Sequence, residues 1–395
     1  MIKNIIVLFL IICFSNCNSH QEITGKIRVI EYQELENHKN LIKKGNKKAV
    51  NNYNKLVKEA DTILEIPFFS VVNKTGIPPS KSKHDYMSIG PYWWPNPNAE
   101  NGFPYIRKDG KINPETRNNF TDYVEKSNFI SAIKILTKTY YYSNEQKYAD
   151  KGIQLVNAWF LDDETKMNPN LNYGQSVPGK YVGRCFGIIE FGDIVNVLNF
   201  LELTKDRNVL DTNIEKGMLN WFTEYASWLQ NSKLGKEEAT RENNHAVHYD
   251  TQLLNILLYL GRVDEVKEYL STITKARIFQ QIEPDGSQPR ELARTKSYSY
   301  TVMNLSGFLE LAILGKKVGV NLWDVESKDG RSIKKAYQYM LPYLIKEKKW
   351  EYQQIAGKSY SEEKLISNLK HIRKTFKDDA FDAVLNTIHQ RKDVR

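Results

Sequence analysis

Apolar residues recur at helical spacing along most of the chain. The pattern covers residues 40–65, 128–141, 152–160, 188–204, 215–230, 246–260, 301–315 and 336–345. Gly and Pro mark the joins, as at Pro178-Gly179, and alternating strand patterns are scarce. Successive helices with short connections predict an all-α fold, in which helical hairpins form an (α/α) toroid or barrel with the site built by loops at one end.

One long stretch, from about residue 67 to 119, lacks helical spacing and is rich in Pro, Gly and Asn. It carries His84 and the run Tyr92-Trp93-Trp94. Loops of this length are uncommon unless they are functional, and the aromatic content argues against disorder. We therefore expect a long, ordered, aromatic-rich loop that edges a cleft.

The two ends of the chain differ in character. Lys3 precedes a short apolar run, 5–14, that is followed by Ser15, Asn16 and Cys17. This pattern is typical of an export signal and is too short for a membrane span. We predict a signal peptide at 1–17 and an exported protein, either periplasmic or, if Cys17 is lipidated, an outer-membrane or cell-surface lipoprotein. Residues 22–395 then form a single toroid domain, closed by one or two helices beyond about Ser361.

Composition narrows the choice of partner. The net charge of +9 favours an anionic partner. No basic run, zinc-finger spacing or helix-turn-helix pattern is present, so we expect no nucleic acid. Lys and Arg are interleaved with Asp and Glu, and such distributed positive charge suits an acidic polysaccharide. Once the signal is removed Cys185 is the only cysteine, which excludes a disulfide and a cysteine-based metal site.

The motif Asn243-Asn244-His245 precedes an apolar helical run. Backbone donors and the helix dipole favour an anion at a helix N-terminus, so this amide and imidazole suit a carboxylate. The alternative is a capped helix with a solvated histidine. His248 follows three residues after His245, but no third ligand comes at a recognised spacing, and we predict neither a metal nor a cofactor.

Two arginines and two tyrosines follow further along, at Arg290, Arg294, Tyr298 and Tyr300. The spacing i, i+4, i+8 would place the first three near one helical face. A neighbouring cation favours the tyrosinate, so a phenol there can act as a base and then return the proton as an acid. The alternative is a basic surface turn. With the Asn-His pair, the set suits removal of a proton beside a carboxylate and loss of a leaving group.

Residues 174–180 match the letters of a phosphate-binding loop. Tyr181 stands where Ser or Thr should hold magnesium, Pro178 is awkward in the cradle, and no apolar strand precedes the segment. We therefore reject nucleotide binding. The neighbouring polar residues are instead candidates for a sugar-contacting loop or a simple helix connection: Asn172, Tyr173, Gln175 and Arg184.

Several segments together resemble the alginate lyase superfamily. They are residues 84–95, 102–110, 167–173, 243–245 and 291–294, in that order, within a likeness covering roughly residues 60–320. The resemblance implies an (α/α) toroid and β-elimination at C5 of a uronic acid. It also implies that Asn244 and His245 neutralise the carboxylate, with His245 alternatively the base, and that Arg294 lies beside the catalytic tyrosine. Counting back from the run 304–309 places that tyrosine at Tyr300, whereas helical geometry from Arg294 favours Tyr298.

We therefore predict a polysaccharide lyase acting on a 1,4-linked uronate polymer, with alginate first and glucuronan next. A glycoside hydrolase on the same fold and a non-catalytic polysaccharide-binding protein are the alternatives. The catalytic candidates are Tyr300, His245, Asn244, Arg294 and Tyr298. The substrate-binding candidates are Asn243, Arg290, Tyr92, Trp93, Trp94, His84, Asn172, Tyr173, Gln175 and Arg184.

Overall fold

A computed structural model describes residues 27–393, with the side chains given as far as residue 390. The predicted signal peptide and Cys17 lie outside the described residues. Within them the helices are α1 (Tyr32–Lys43), α2 (Lys47–Leu64), α3 (Tyr123–Ser143), α4 (Gln146–Phe160), α5 (Val195–Asp206), α6 (Thr212–Asn231), α7 (Lys233–Ala239), α8 (Asn244–Tyr259), α9 (Val263–Tyr269), α10 (Lys275–Gln281), α11 (Pro289–Leu292), α12 (Ser297–Val318), α13 (Ile333–Leu344), α14 (Ser359–Phe376) and α15 (Asp382–Asp393).

Strands are few and short. They are β1 (Met87–Ile89), β2 (Trp93–Trp94), β3 (Ile106–Arg107) and β4 (Tyr173–Ser176). The first pairs with the last in parallel, and the middle two pair antiparallel. Helices account for 61% of the structure and strands for 4%, which confirms the prediction of a helical fold.

The helices form the predicted (α/α) toroid. Neighbouring contacts run from α2 to α3, from α3 to α5, from α5 to α8, from α8 to α12 and from α12 to α14. α12 is apolar nearly all round, because Leu305, Phe308 and Leu311 are fully buried between its neighbours. Gly319 ends it in the left-handed conformation, with φ of 82°, that glycine adopts without strain.

The predicted helical segments match helices to within a residue at their ends, with two differences, the first being that 40–65 spans α1 and α2 across a break at 44–46. Residues 188–204 were expected to be one α-helix, but 185–194 form a 3-10 helix before α5 begins. The Lys126 ammonium donates a hydrogen bond to the Glu190 carbonyl, which therefore has a partner without the backbone N–H that an α-helix would supply. This tighter segment forms part of the wall of the cavity described below.

The aromatic-rich loop is ordered, as predicted. The Gly90 backbone N–H donates to the Ser176 carbonyl at 3.0 Å, and the Asp122 N–H donates to the Met87 carbonyl at 3.0 Å. These bonds and the β1–β4 pairing fix residues 84–95 across the end of the toroid. Within residues 27–393 no helix is both long enough and apolar enough to cross a membrane.

Candidate active site

Loops at one end of the toroid enclose a cavity of about 840 Å³. The aromatic-rich loop, the 3-10 segment, the turn between α7 and α8, and the start of α12 form its wall. Six of the lining side chains are cationic: Arg107, Arg184, Arg241, Arg290, Arg294 and Lys296. Among the described residues, Glu242 is the one acidic side chain in the lining, and it is paired with Arg290. The cavity therefore attracts anions.

The N-terminus of α8 places Asn244 at the cavity. The Asn243 side-chain oxygen caps the helix by accepting from the His245 backbone N–H at 3.3 Å. Asn244 donates to the buried Glu291 carboxylate twice, from its backbone N–H at 2.6 Å and from its side-chain amide at 2.7 Å. Burial raises the pKa of Glu291, and the two hydrogen bonds oppose that rise. A buried carboxylate thus fixes the orientation of the Asn244 amide.

A second buried carboxylate holds His245. Its Nδ1 lies 2.5 Å from Oε1 of Glu238, a residue in the last turn of α7 whose side chain is fully buried. The Phe186 ring packs edge-on against the imidazole, with 4.8 Å between ring centroids. When Glu238 accepts this hydrogen bond, Nδ1 carries the proton between the two groups and Nε2 is left for a ligand.

A third carboxylate holds Arg294. The Nη2 of Arg294 donates to Asp109 at 3.0 Å, and the Thr295 hydroxyl donates to the same group at 2.8 Å. Burial alone would raise the pKa of Asp109, but the hydrogen bonds and the guanidinium charge lower it to about 2. Asp109 is therefore ionised at neutral pH and keeps the guanidinium in place.

Tyr300 lies beside that guanidinium and lines the cavity. The Arg294 Cζ is 4.0 Å from the centroid of the Tyr300 ring, and the Tyr300 hydroxyl is 2.7 Å from the Tyr92 hydroxyl. Burial raises the pKa of Tyr300 and outweighs the lowering by Arg294. The expected tyrosinate is thus not the form of the free protein, because removing the phenol from water disfavours its anion more than one cation favours it.

Tyr298 lies outside the cavity. It is fully buried and packs edge-on against Trp350, with 5.0 Å between ring centroids. The expected single helical face of residues 290, 294 and 298 does not form, because α11 ends at Leu292 and α12 begins only at Ser297. The intervening residues pair with the segment 353–355 instead. The geometric argument for Tyr298 was therefore wrong.

The substrate-binding candidates divide into two groups. The cavity is lined by Asn243, Arg290, Tyr92, Trp93, Gln175 and Arg184. The other four lie outside that lining, and three of them use their polar groups within the scaffold. His84 Nδ1 lies 2.7 Å from the Lys166 carbonyl, and Trp94 donates to the Lys111 carbonyl. Asn172 accepts from Trp228 at 3.0 Å, and Tyr173 belongs to β4.

Sequence reasoning missed several residues of the site. The carboxylates beneath it come from Asp109, Glu238 and Glu291, and further lining comes from Arg107, Phe186, Arg241 and Lys296. Glu291 is adjacent to Arg290 and Glu238 precedes His245 by seven residues, which is a weak signal among the many acids of the chain. Asp109 lies far from Arg294 along the chain, and only folding reveals that pair.

His248 does not join His245 at the cavity. Its Nε2 is buried without a hydrogen-bond partner among the described residues. Burial, and to a lesser extent the charge of His245, lowers the pKa of His248 to about 4. Across residues 27–393, no three or more His, Cys, Asp or Glu side chains are grouped so that they could hold a metal ion.

Comparisons with known proteins identify relatives of the whole toroid. A profile described as "Alginate lyase" matches residues 70–350. An alginate lyase from Bacteroides ovatus of known structure is 36% identical, with a TM-score of 0.86 over 91% of this chain and 94% of that one. Alginate lyase A1-III from Sphingomonas species A1 is 17% identical, with a TM-score of 0.46 over 75% and 80% of the two chains. No curated protein matches the chain.

The family match covers most of the chain and spans every loop that forms the cavity. The Bacteroides ovatus structure extends the likeness to nearly the full length of both chains. These matches decide for a lyase, against a hydrolase and against a non-catalytic binding protein. The chain belongs to the alginate lyase family and is a polysaccharide lyase.

Proposed function

We propose that this enzyme cleaves a 1,4-linked polymer of uronic acids by β-elimination, with alginate the first substrate and glucuronan the next. The observation that carries the proposal is that the Tyr300 hydroxyl shares one strongly cationic cavity with the Asn244–His245 pair. In the reaction the C5–H bond breaks, a double bond forms between C4 and C5, and the C4–O bond breaks. The departing oxygen takes a proton, and the new end is an unsaturated uronate.

The C5 carboxylate requires neutralisation before C5 becomes acidic enough to lose its proton. Asn244 has a second amide N–H beyond the one that it donates to Glu291. That N–H donates to the carboxylate as it takes on enolate character, and the positive end of α8 adds a favourable field. The imidazolium form of His245 adds a second donor at Nε2. The donors are held before the substrate arrives, so little reorganisation accompanies the reaction.

Tyr300 is the proton carrier in this proposal. Because burial raises its pKa, the phenol is protonated in the free protein and can donate to the departing O4 oxygen. To act also as the base it must first release that proton to solvent when the substrate binds; it then takes the C5 proton and passes it to O4. The Arg294 guanidinium over its ring stabilises the tyrosinate so formed.

One specific observation favours a second route for the C5 proton. The Glu238 carboxylate fixes the His245 imidazole through Nδ1, so that Nε2 has a free lone pair and can act as the base. His245 and Tyr300 then serve opposite faces of the sugar. The variant His245→Ala separates the routes. Activity persists at a reduced level if Tyr300 carries both protons, and it disappears if His245 is the base.

The test of function is a panel of alginate, polymannuronate, polyguluronate, glucuronan and pectate. The conjugated double bond of the product absorbs in the ultraviolet, which hydrolysis products do not. We expect this absorbance to rise on alginate or glucuronan with the native enzyme, and to fall to background with Tyr300→Phe. An unchanged absorbance on every polymer would refute the proposed reaction.

We also propose that the enzyme is exported and meets its polymer outside the cytoplasm. The support is the basic start and short apolar run of residues 1–17, together with Cys17. Cell fractionation tests export, and metabolic labelling with a fatty acid tests lipidation. Label that disappears in Cys17→Ser establishes a lipoprotein, whereas a cytoplasmic full-length chain would overturn the proposal.

A further inference from the structure

A short hairpin just outside the cavity carries an exposed aromatic and cationic pair. The Val177 N–H donates to the Tyr181 carbonyl at 2.8 Å, and the Tyr181 N–H donates back at 2.9 Å. The Tyr181 side chain is 50% exposed, and Lys180 beside it is exposed as well. Single exposed aromatic side chains are common on protein surfaces, so the surroundings of this pair decide whether it can bind a ligand.

The hairpin is held rigidly by the aromatic-rich loop. Tyr105 donates its backbone N–H to the Pro178 carbonyl at 3.1 Å. Gly179 has a φ of 75° and sits so close to Phe103 and Pro104 that an added Cβ would lie 3.0 Å from each. Glycine is therefore required at this turn. The position of Lys180 and Tyr181 is thus fixed before any ligand binds, which reduces the entropy lost on binding.

The pair is continuous with the cavity. The Lys180 Nζ lies 5.4 Å from the centroid of the Tyr181 ring and 5.7 Å from that of Trp93. Trp93 lines the cavity, and its ring is also 5.4 Å from the Arg184 guanidinium. Cations and aromatic rings therefore alternate from the cavity wall outward to the hairpin.

The charge of Lys180 is uncompensated. No carboxylate lies within ion-pair distance of its ammonium in the part of the chain that the structure describes. Arg107, another cation of the cavity lining, is by contrast paired with Asp109. The free ammonium can bind a carboxylate, and the open aromatic ring beside it can stack on the apolar face of a sugar ring.

We propose that Lys180 and Tyr181 form an outlying subsite that binds a further uronate residue of the polymer chain beyond the catalytic cavity. The inference rests on the proposed function and adds to it, because it assigns the enzyme a preference for long chains. A polyuronate repeats one carboxylate and one sugar ring at each residue, which matches the alternation of cation and aromatic ring. The Tyr181 ring stacks on the sugar, and the Lys180 ammonium pairs with the carboxylate.

The test compares binding and turnover for Lys180→Ala, Tyr181→Ala and the double variant. The matched controls are Lys58→Ala, on the exposed face of α2, and Phe68→Ala, an exposed aromatic away from the cavity. Binding is measured by retardation of the full chain in native gels containing alginate or glucuronan, which requires no catalysis. Turnover is measured on the polymer and on its size-fractionated short oligomers.

We expect KM on the polymer to rise about two- to fivefold for each single variant and about five- to twentyfold for the double variant, the range of weak exposed contacts. We expect kcat, and KM on the shortest oligomers, to stay within about twofold of the native values, since those substrates end before the hairpin. Gel retardation falls in parallel, and the controls change neither readout.

Unchanged gel retardation in the double variant would overturn the subsite, as would an equal rise of KM on oligomers and polymer. The result is separable from the proposed reaction. A native enzyme that yields no ultraviolet-absorbing product refutes the reaction, while the gel still decides whether the hairpin binds the polymer.

Discussion

Two tyrosines separated by one residue offer a sharp test of the site, because the same substitution has opposite consequences in each. Tyr300→Phe removes a hydroxyl that lines the cavity and lies 2.7 Å from the Tyr92 hydroxyl. Tyr298→Phe removes a hydroxyl that is buried outside the cavity, with no hydrogen-bond partner among the described residues. Both changes leave the ring and its packing in place.

The expected magnitudes follow from these surroundings. Proton transfer by a positioned side chain contributes about 10²–10⁴-fold, so Tyr300→Phe should lower kcat by at least about a hundredfold. The loss of its hydrogen bond should cost about 0.5–1.5 kcal/mol of the free energy of unfolding. Tyr298→Phe relieves an unpaired buried hydroxyl, so the free energy of unfolding should stay the same or rise by about 1–3 kcal/mol. Its kcat should stay within about twofold of the native value.

The assays are initial rates from ultraviolet absorbance on the preferred polymer and urea unfolding monitored by tryptophan fluorescence. Unfolding data show whether a loss of activity reflects a loss of fold. A Tyr298→Phe enzyme that folds normally but loses more than about tenfold in kcat would refute the assignment of Tyr300, as would a Tyr300→Phe enzyme that keeps its activity.

Three further predictions concern the charges around the cavity. Asp109→Asn should lower the free energy of unfolding at neutral pH by about 1 kcal/mol after solvent screening, because Asp109 has its pKa lowered to about 2 in the fold. A carboxyl whose pKa is lower in the fold than in the unfolded chain stabilises the fold fully at pH values above the unfolded pKa, and loses this contribution as the pH falls to the folded pKa. The difference between the variant and the native enzyme should therefore vanish as the pH of the urea unfolding series falls from about 4 to 2. Glu238→Gln should lower kcat/KM on the preferred polymer by about ten- to a hundredfold because it replaces the carboxyl partner of His245 with an amide, while Glu224→Gln, on the exposed face of α6, should have no effect. Raising the salt concentration should raise KM with little change in kcat, because ions screen the attraction between the cationic lining and the polymer; a KM independent of salt would contradict the electrostatic argument.

The sequence predicted the fold well because the fold depends on local patterns. Helical spacing of apolar residues is set by the geometry of one helix, and the predicted segments coincide with observed α-helices except at residues 44–46 and 188–194. The 3-10 segment at residues 185–194 is accompanied by a tertiary contact, in which the Lys126 side chain binds the Glu190 carbonyl from a different helix. Apolar spacing carries no information about such a contact.

The site was predictable in part for the same reason. Asn244 and His245 are adjacent in sequence and share one helix end, so their proximity at the cavity needed no tertiary information. Tyr298 and Tyr300 depended on where α12 begins. That boundary is set by pairing with residues 353–355, and this pairing is invisible to a helical extrapolation from Arg294.

The carboxylates explain how an anion-binding cavity can have acids at its base. Asp109, Glu238 and Glu291 each accept hydrogen bonds from a residue placed at the cavity, and none of the three belongs to the lining given by the described residues. Each carboxylate faces its donor residue, and the substrate contacts only the opposite side of that donor residue. Because a buried carboxylate without its donor costs several kcal/mol, the pairs made by the fully buried Glu238 and Glu291 resist rearrangement more strongly than an exposed ion pair would. The cationic rim sets how strongly the polymer is attracted, and the buried acids set the geometry in which its carboxylate is received.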